Sequence, residues 1–138
     1  MRTIKFRGRH LCGQWYYGNL IVRETDSPVP ETPQAYKCVM IGDVDDGSAE
    51  EVEEETVGQF VGLCDWKGRE IYEGDVIEGN YNFRHVVRFK KTAASFVACL
   101  IPETKFSPNC AFDKKWIDEF GKEVIGNIHD NPELLRGE

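Results

Sequence analysis

The chain has 138 residues, 41% of them hydrophobic and 30% charged, with a formal net charge of −7. A chain of this size forms one domain or two very small ones, with enough apolar side chains for a core that needs no disulfide or metal. No apolar run approaches the ~20 residues of a membrane helix, and the basic start Met1-Arg2-Thr3-Ile4-Lys5 has no apolar signal core, so a cytoplasmic protein with no membrane partner is expected.

The five cysteines are Cys12, Cys38, Cys64, Cys99 and Cys110. Their odd number and the lack of a Cys-x-x-Cys pair argue against a disulfide scaffold and against a zinc ribbon. His10, His85 and His129 are too far apart in sequence for a local metal pair. The expectation is reduced thiols, several acting as small core residues, with no metal and no cofactor. The acidity is local. Residues 43–56 hold eight acids and no base, whereas residues 1–42 are net basic and residues 57–138 nearly neutral.

In chain order, Ile4 and Phe6 alternate with polar residues and predict a half-buried strand. A turn around Gly13 and a β-prone run from Trp15 to Val22 complete a hairpin. Residues 25–34, with Pro28, Pro30 and Pro33, read as a loop, and Tyr36 to Ile41 as a buried strand. Within the acidic stretch, Ser48 is placed to cap a short helix through Glu55; a solvated linker is the alternative, because Val52 is the only apolar anchor. Beyond it, Asp65-Trp66-Lys67-Gly68 and Glu73-Gly74-Asp75 are tight turns, with Asp75 placed to accept from turn N–H groups. Val76-Ile77, His85 to Phe89 and Ser95 to Ile101 are strand candidates whose short spacing suggests a small barrel. After a loop over 102–110, Phe112, Trp116, Ile117 and Phe120 fall at helical spacing and predict a helix over 110–120 stopped by Gly121. Glu123 to Ile128 is a last strand, and Asn131-Pro132 opens a helical turn.

Several of these stretches resemble the YopX family: Ile4-Lys5-Phe6-Arg7-Gly8, Trp15 to Leu20, Thr56 to Leu63, Gly68 to Ile77, and the ending Glu123 to Leu135. The resemblance implies a small phage or prophage protein, homo-oligomeric assembly and a barrel-like C-terminal β part. It carries no catalytic residues across. The acidic segment before Thr56 and the Cys64-Asp65-Trp66 turn depart from the family's usual pattern.

The chemistry the residues offer is sparse. Asp43, Asp45 and Glu54 stand at calcium-loop spacing, but Gly47 occupies a ligand position and Ser48 the glycine position, so a solvated acidic loop is the better reading. As a mimic of DNA phosphates the same run lacks fixed spacing. No phosphate loop, dinucleotide fingerprint, zinc-protease or nucleophile-elbow motif is present. Cys64, considered with the distant His85 or His129, reads as core filler. A basic face of Arg7, Arg9, Arg84, Arg88 and Lys90, with Tyr81 and Phe83 nearby, is the candidate nucleic-acid surface. Trp15, Tyr16 and Trp66 are candidate subunit or partner contacts.

The sequence therefore predicts a mostly β, α+β protein. An N-terminal β-rich part over 1–55, with an acidic connector over 43–55, precedes an SH3-like or barrel-like part over 56–138 with one short helix. The expected function is non-enzymatic: a phage or prophage accessory protein that self-associates and binds a host or phage protein. A nucleic-acid-binding small barrel is the alternative.

Overall fold

A computed structural model describes residues 1–25, 36–43, 45–104 and 109–136. The chain divides into two compact units, residues 3–59 and residues 60–138 together with Met1 and Arg2. The predicted loop over 25–34 falls outside the described residues except for Thr25, and so does the 105–108 part of the predicted 102–110 loop.

The first unit is an antiparallel sheet of β1 (Phe6–Arg9), β2 (Trp15–Thr25), β3 (Tyr36–Gly42), β4 (Ala49–Glu51) and the start of β5 (Gly58–Cys64). Their order is β4-β3-β2-β1-β5. Gly8 lies opposite Tyr16 and Arg9 opposite Trp15. Because cross-strand partners share a face, Phe6, Gly8 and Tyr16 point one way and Arg7, Arg9, Trp15 and Tyr17 the other. The first face builds the core, where buried Val39, Ile41 and Val52 meet Phe6, Tyr16, Leu20 and Val57. Gly8 is glycine because a Cβ there would stand 2.6 Å from Val52 Cγ2.

The acidic segment is a hairpin edge rather than a helix. Gly47 turns with φ +74°, the Asp43 N–H donates to the Ser48 carbonyl at 2.8 Å, and β4 then pairs with β3, Ile41 opposite Glu50. A helix needs an apolar stripe, and one valine cannot supply it. On an edge strand the carboxylates stay in water and discourage pairing with other chains, while Val52 just beyond turns into the core. Only Glu54–Thr56 forms a 3-10 turn, fastened where the Arg9 N–H donates to Thr56 Oγ1 at 2.9 Å.

In the second unit, the later part of β5 pairs with β6 (Glu70–Tyr72). A five-stranded antiparallel sheet follows, made of β7 (Asp75–Glu78), β8 (Arg84–Lys90), β9 (Ser95–Leu100), β10 (Asn109–Ala111) and β11 (Glu123–Asn127). Its order is β10-β9-β8-β7-β11, and among the described residues it stays open rather than closing into a barrel. Strands β7 and β8 are buried on both faces. Ile77 and Val87 join Ile71, Ile117 and Val124 on one side, and Val76 and Val86 join Cys99 and Ile101 on the other.

The helix is shorter than the spacing of its aromatics suggested. α1 runs over Lys114–Glu119, with Asp113 as its cap accepting from the Trp116 N–H at 2.8 Å. Residues 109–111 pair with β9 instead. The acceptor at Asp113 sets the start, and the sheet edge claims what precedes it. At the other end Gly121 has φ +59°. Its N–H donates to the Asp118 carbonyl at 3.3 Å, and that of Lys122 to the Ile117 carbonyl at 2.9 Å. This pair of bonds is a Schellman motif.

Two turn carboxylates pin the second unit. Buried Asp65 accepts from the N–H groups of Lys67, Arg69 and Val124 at 3.0, 2.8 and 3.0 Å, joining the β5–β6 turn to β11. Asp75 accepts from the Tyr72 N–H at 2.8 Å, the role expected of it. The C-terminal 3-10 turn spans Pro132–Arg136, and the Asn131 side chain accepts from the Asn127 N–H at 3.3 Å.

Candidate functional site

One end of the second unit gathers both exposed aromatics and a buried polar chain. The Schellman motif explains how. The residue after its left-handed glycine usually turns an apolar side chain inward, and here that residue is Lys122, 3% exposed. Its stem fills the apolar position so closely that a Cβ on Gly79 would stand 2.7 Å from Lys122 Cδ. Its amine has three neighbours able to take its three N–H donors: the Phe83 carbonyl at 3.4 Å, His85 Nδ1 at 3.4 Å, and the face of Trp116 at 4.9 Å. Burial lowers the pKa of Lys122, while Cys110 and Glu78 pull it back up.

His85, 6% exposed, is the next link. Its ring meets Trp116 edge-on at 5.2 Å, and its pKa is lowered to about 4 by burial first and the Lys122 charge second. The imidazole is therefore neutral near pH 7. With Nδ1 accepting from the Lys122 ammonium, the single ring proton belongs on Nε2. That nitrogen lies 3.7 Å from Cys110 Sγ. The register makes the contact: Cys110 is opposite Ala98, and Ala98 opposite Val87, so Cys110 and His85 share a face across β9. Ala98, between them, has no side chain beyond Cβ to block the way. Hydrogen bonds thus run in one direction, from Lys122 through His85 to the sulfur.

Around this chain stand large exposed aromatics. Tyr81 is 81% exposed, Phe83 57%, Trp66 52% and Phe120 37%. Backbone bonds collect them around residues 120–122: the Asn80 N–H donates to the Phe120 carbonyl at 2.8 Å, and the Trp66 N–H to the Lys122 carbonyl at 3.1 Å. Tyr81 and Asn82 both have left-handed backbone, φ 70° and 60°. An asparagine tolerates this; a tyrosine does so at a cost, a feature concentrated at functional sites.

The residues singled out from sequence fall in both units. Arg7 is buried at 4% exposure, its guanidinium 4.8 Å from the Trp15 ring centroid, and that of Arg9 lies at 5.9 Å. Arg84 pairs with Glu78 at 2.6 Å and Arg88 with Glu103 at 2.6 Å, while Lys90 is exposed. Trp15 and Tyr16 are half-buried, and Trp66 is exposed with the Lys67 amine 5.5 Å from its ring. The sulfur that His85 meets is that of Cys110, not Cys64. Sequence reasoning missed Lys122 and Cys110 because nothing in their spacing links them; the signal for Lys122 was its place just after the helix-stopping glycine. All five cysteines carry free thiols. In the first unit, a hollow of about 200 Å³ lined by His10, Leu11, Glu51, Val52 and Glu53 is below the size usual for small-molecule sites. Among the described residues, no group of three or more His, Cys, Asp or Glu is arranged to hold a metal ion, and no helix is long and apolar enough to cross a membrane.

Among the described residues, two open antiparallel sheets with a single short α-helix define a mostly β, α+β protein. The family model described as YopX protein matches residues 5–136, so the chain belongs to the YopX family. Its fold is similar to that in the crystal structure of protein EF1440 from Enterococcus faecalis, with a TM-score of 0.60 and 23% identity over 99% of this chain and 100% of that one. No curated protein matches the chain.

Proposed function

We propose that this chain is a non-enzymatic phage or prophage accessory protein, acting in the bacterial cytoplasm as a homo-oligomeric binding module. Tyr81, Phe83, Phe120 and Trp66 form the contact with a second copy. The observation that carries this reading is the set of four large aromatics left in solvent around one backbone segment. Aromatics are enriched in the buried centres of interfaces, and contiguous apolar exposure marks them. A strained tyrosine that does no work in the core is best accounted for by work at the surface. A host or phage protein is the further partner the module would present itself to. The nucleic-acid reading draws less support: the chain is acidic overall, and Arg84 and Arg88 already hold carboxylates.

Sedimentation across a concentration series tests this. The wild-type chain is expected to dimerise or assemble further, and Phe83→Ser with Phe120→Ser is expected to weaken association by at least about tenfold, the size of a lost interface anchor. Both side chains are exposed, so the urea midpoint should hardly move. A wild-type chain that stays monomeric throughout the series would overturn the self-association, and a complex from cells that disappears on nuclease treatment would shift the reading to nucleic acid.

A further inference from the structure

We propose that Cys110 is a site of reversible S-thiolation by small disulfides, with His85 and Lys122 as the residues that position and polarise its sulfur. Three observations carry it. Cys110 is half-buried and lies in β10. His85 Nε2 lies 3.7 Å from Sγ, with its one proton directed there because Nδ1 faces the Lys122 amine. Lys122 is itself held by the Phe83 carbonyl and the Trp116 ring, so its charge cannot swing out to solvent. A donor N–H and a buried positive charge aimed at one sulfur are the surroundings that make a cysteine nucleophilic. The direction of the chain also sets the role of His85. It offers a proton to sulfur rather than taking one, so it is no general base.

In the step itself, the Cys110 thiol gives its proton to water and the thiolate attacks one sulfur of R–S–S–R. The Cys110–S–S–R bond forms as the original S–S bond breaks, and R–S⁻ departs with the electron pair and is protonated by water. Cys110 is oxidised and one R–S sulfur reduced, and a free small thiol reverses the step. The modification is independent of the binding role proposed above and needs no second subunit.

The chain carries its own reference. Cys12 is exposed, its N–H donating to His10 Nδ1 at 3.0 Å, whereas Cys99 is buried. Exposure alone ranks Cys12 first for reaction; the polarised sulfur ranks Cys110 first. The full-length protein would be incubated with glutathione disulfide slightly below pH 7, and each cysteine followed by peptide mass spectrometry. Cys110 is expected to react about tenfold faster than Cys12. Lys122→Met keeps the stem, removes the charge, and should slow Cys110 about tenfold while leaving Cys12 unchanged. His85→Gln should slow Cys110 as well. Loss of folding in either variant would announce itself through reaction at Cys99. Wild-type protein in which Cys12 reacts first, or folded variants in which Cys110 reacts undiminished, would overturn the proposal.

Discussion

The two units solve the same problem with different means. In residues 3–59 one face of a sheet is covered, and three buried aliphatics, Val39, Ile41 and Val52, centre the core. In residues 60–138 strands β7 and β8 are covered on both faces, by α1 on one side and by the Pro132–Arg136 turn on the other. The second arrangement takes Asp65, His85 and Lys122 inside as well, while the first buries Arg7 and Thr56. Burying polar groups is tolerable only where each finds a partner. A doubly covered sheet fixes those partners in place, and the chain of Lys122, His85 and Cys110 lies there.

The sharpest test of that contrast is one substitution made twice. Ile77→Ala, in the doubly covered strand, should lower unfolding stability by about 4–5 kcal/mol, because its surroundings cannot close over the gap. Ile41→Ala, equally buried but in the single-sided sheet, should cost nearer 2 kcal/mol. Urea unfolding of both variants measures this, and equal losses would remove the contrast.

A second test is pH. His85 is neutral in the folded chain with a pKa of about 4, below the ordinary 6.5. The unfolded chain therefore takes up a proton that the folded one refuses. Stability is unaffected above the unfolded value and declines as pH falls from 6.5 towards 4, by about 3 kcal/mol in all. His85→Gln should flatten the urea midpoint over that window; an unchanged slope would mean the ring is not held neutral.

In the first unit Gly8 lies close against Val52. Gly8→Ala forces a methyl against Val52 and should cost about 1–3 kcal/mol. The smallest effect is expected for the exposed Lys37–Glu54 pair. Lys37→Met should leave the urea midpoint unchanged, since exposed ion pairs contribute little.

Much of the second unit was legible in the sequence because its signals are local. Asp75 before Val76, Gly68 closing the Asp65 turn, and Gly121 ending the helix each follow from the conformation of one residue. The acidic stretch was misread as a helix or linker because its fate depends on β3, a partner outside it. The start of α1 was misplaced for a similar reason, since β9 draws residues 109–111 into the sheet. Of the aromatic site, Trp66 was visible as a contact and Tyr81 and Phe83 as neighbours of a basic strand. Their grouping around residues 120–122 was not visible, because it rests on backbone bonds between distant segments.

By itself, then, the sequence determined the class of protein, the family, the turns and most strand positions, all of which depend on short-range periodicity and on the backbone preferences of glycine, proline and aspartate. Tertiary structure alone decided that the second sheet stays open, that a lysine lies inside it, and that Cys110 meets His85. Those outcomes depend on cross-strand register and on Ala98 leaving room between two strands, and neither has a period that can be read along the chain.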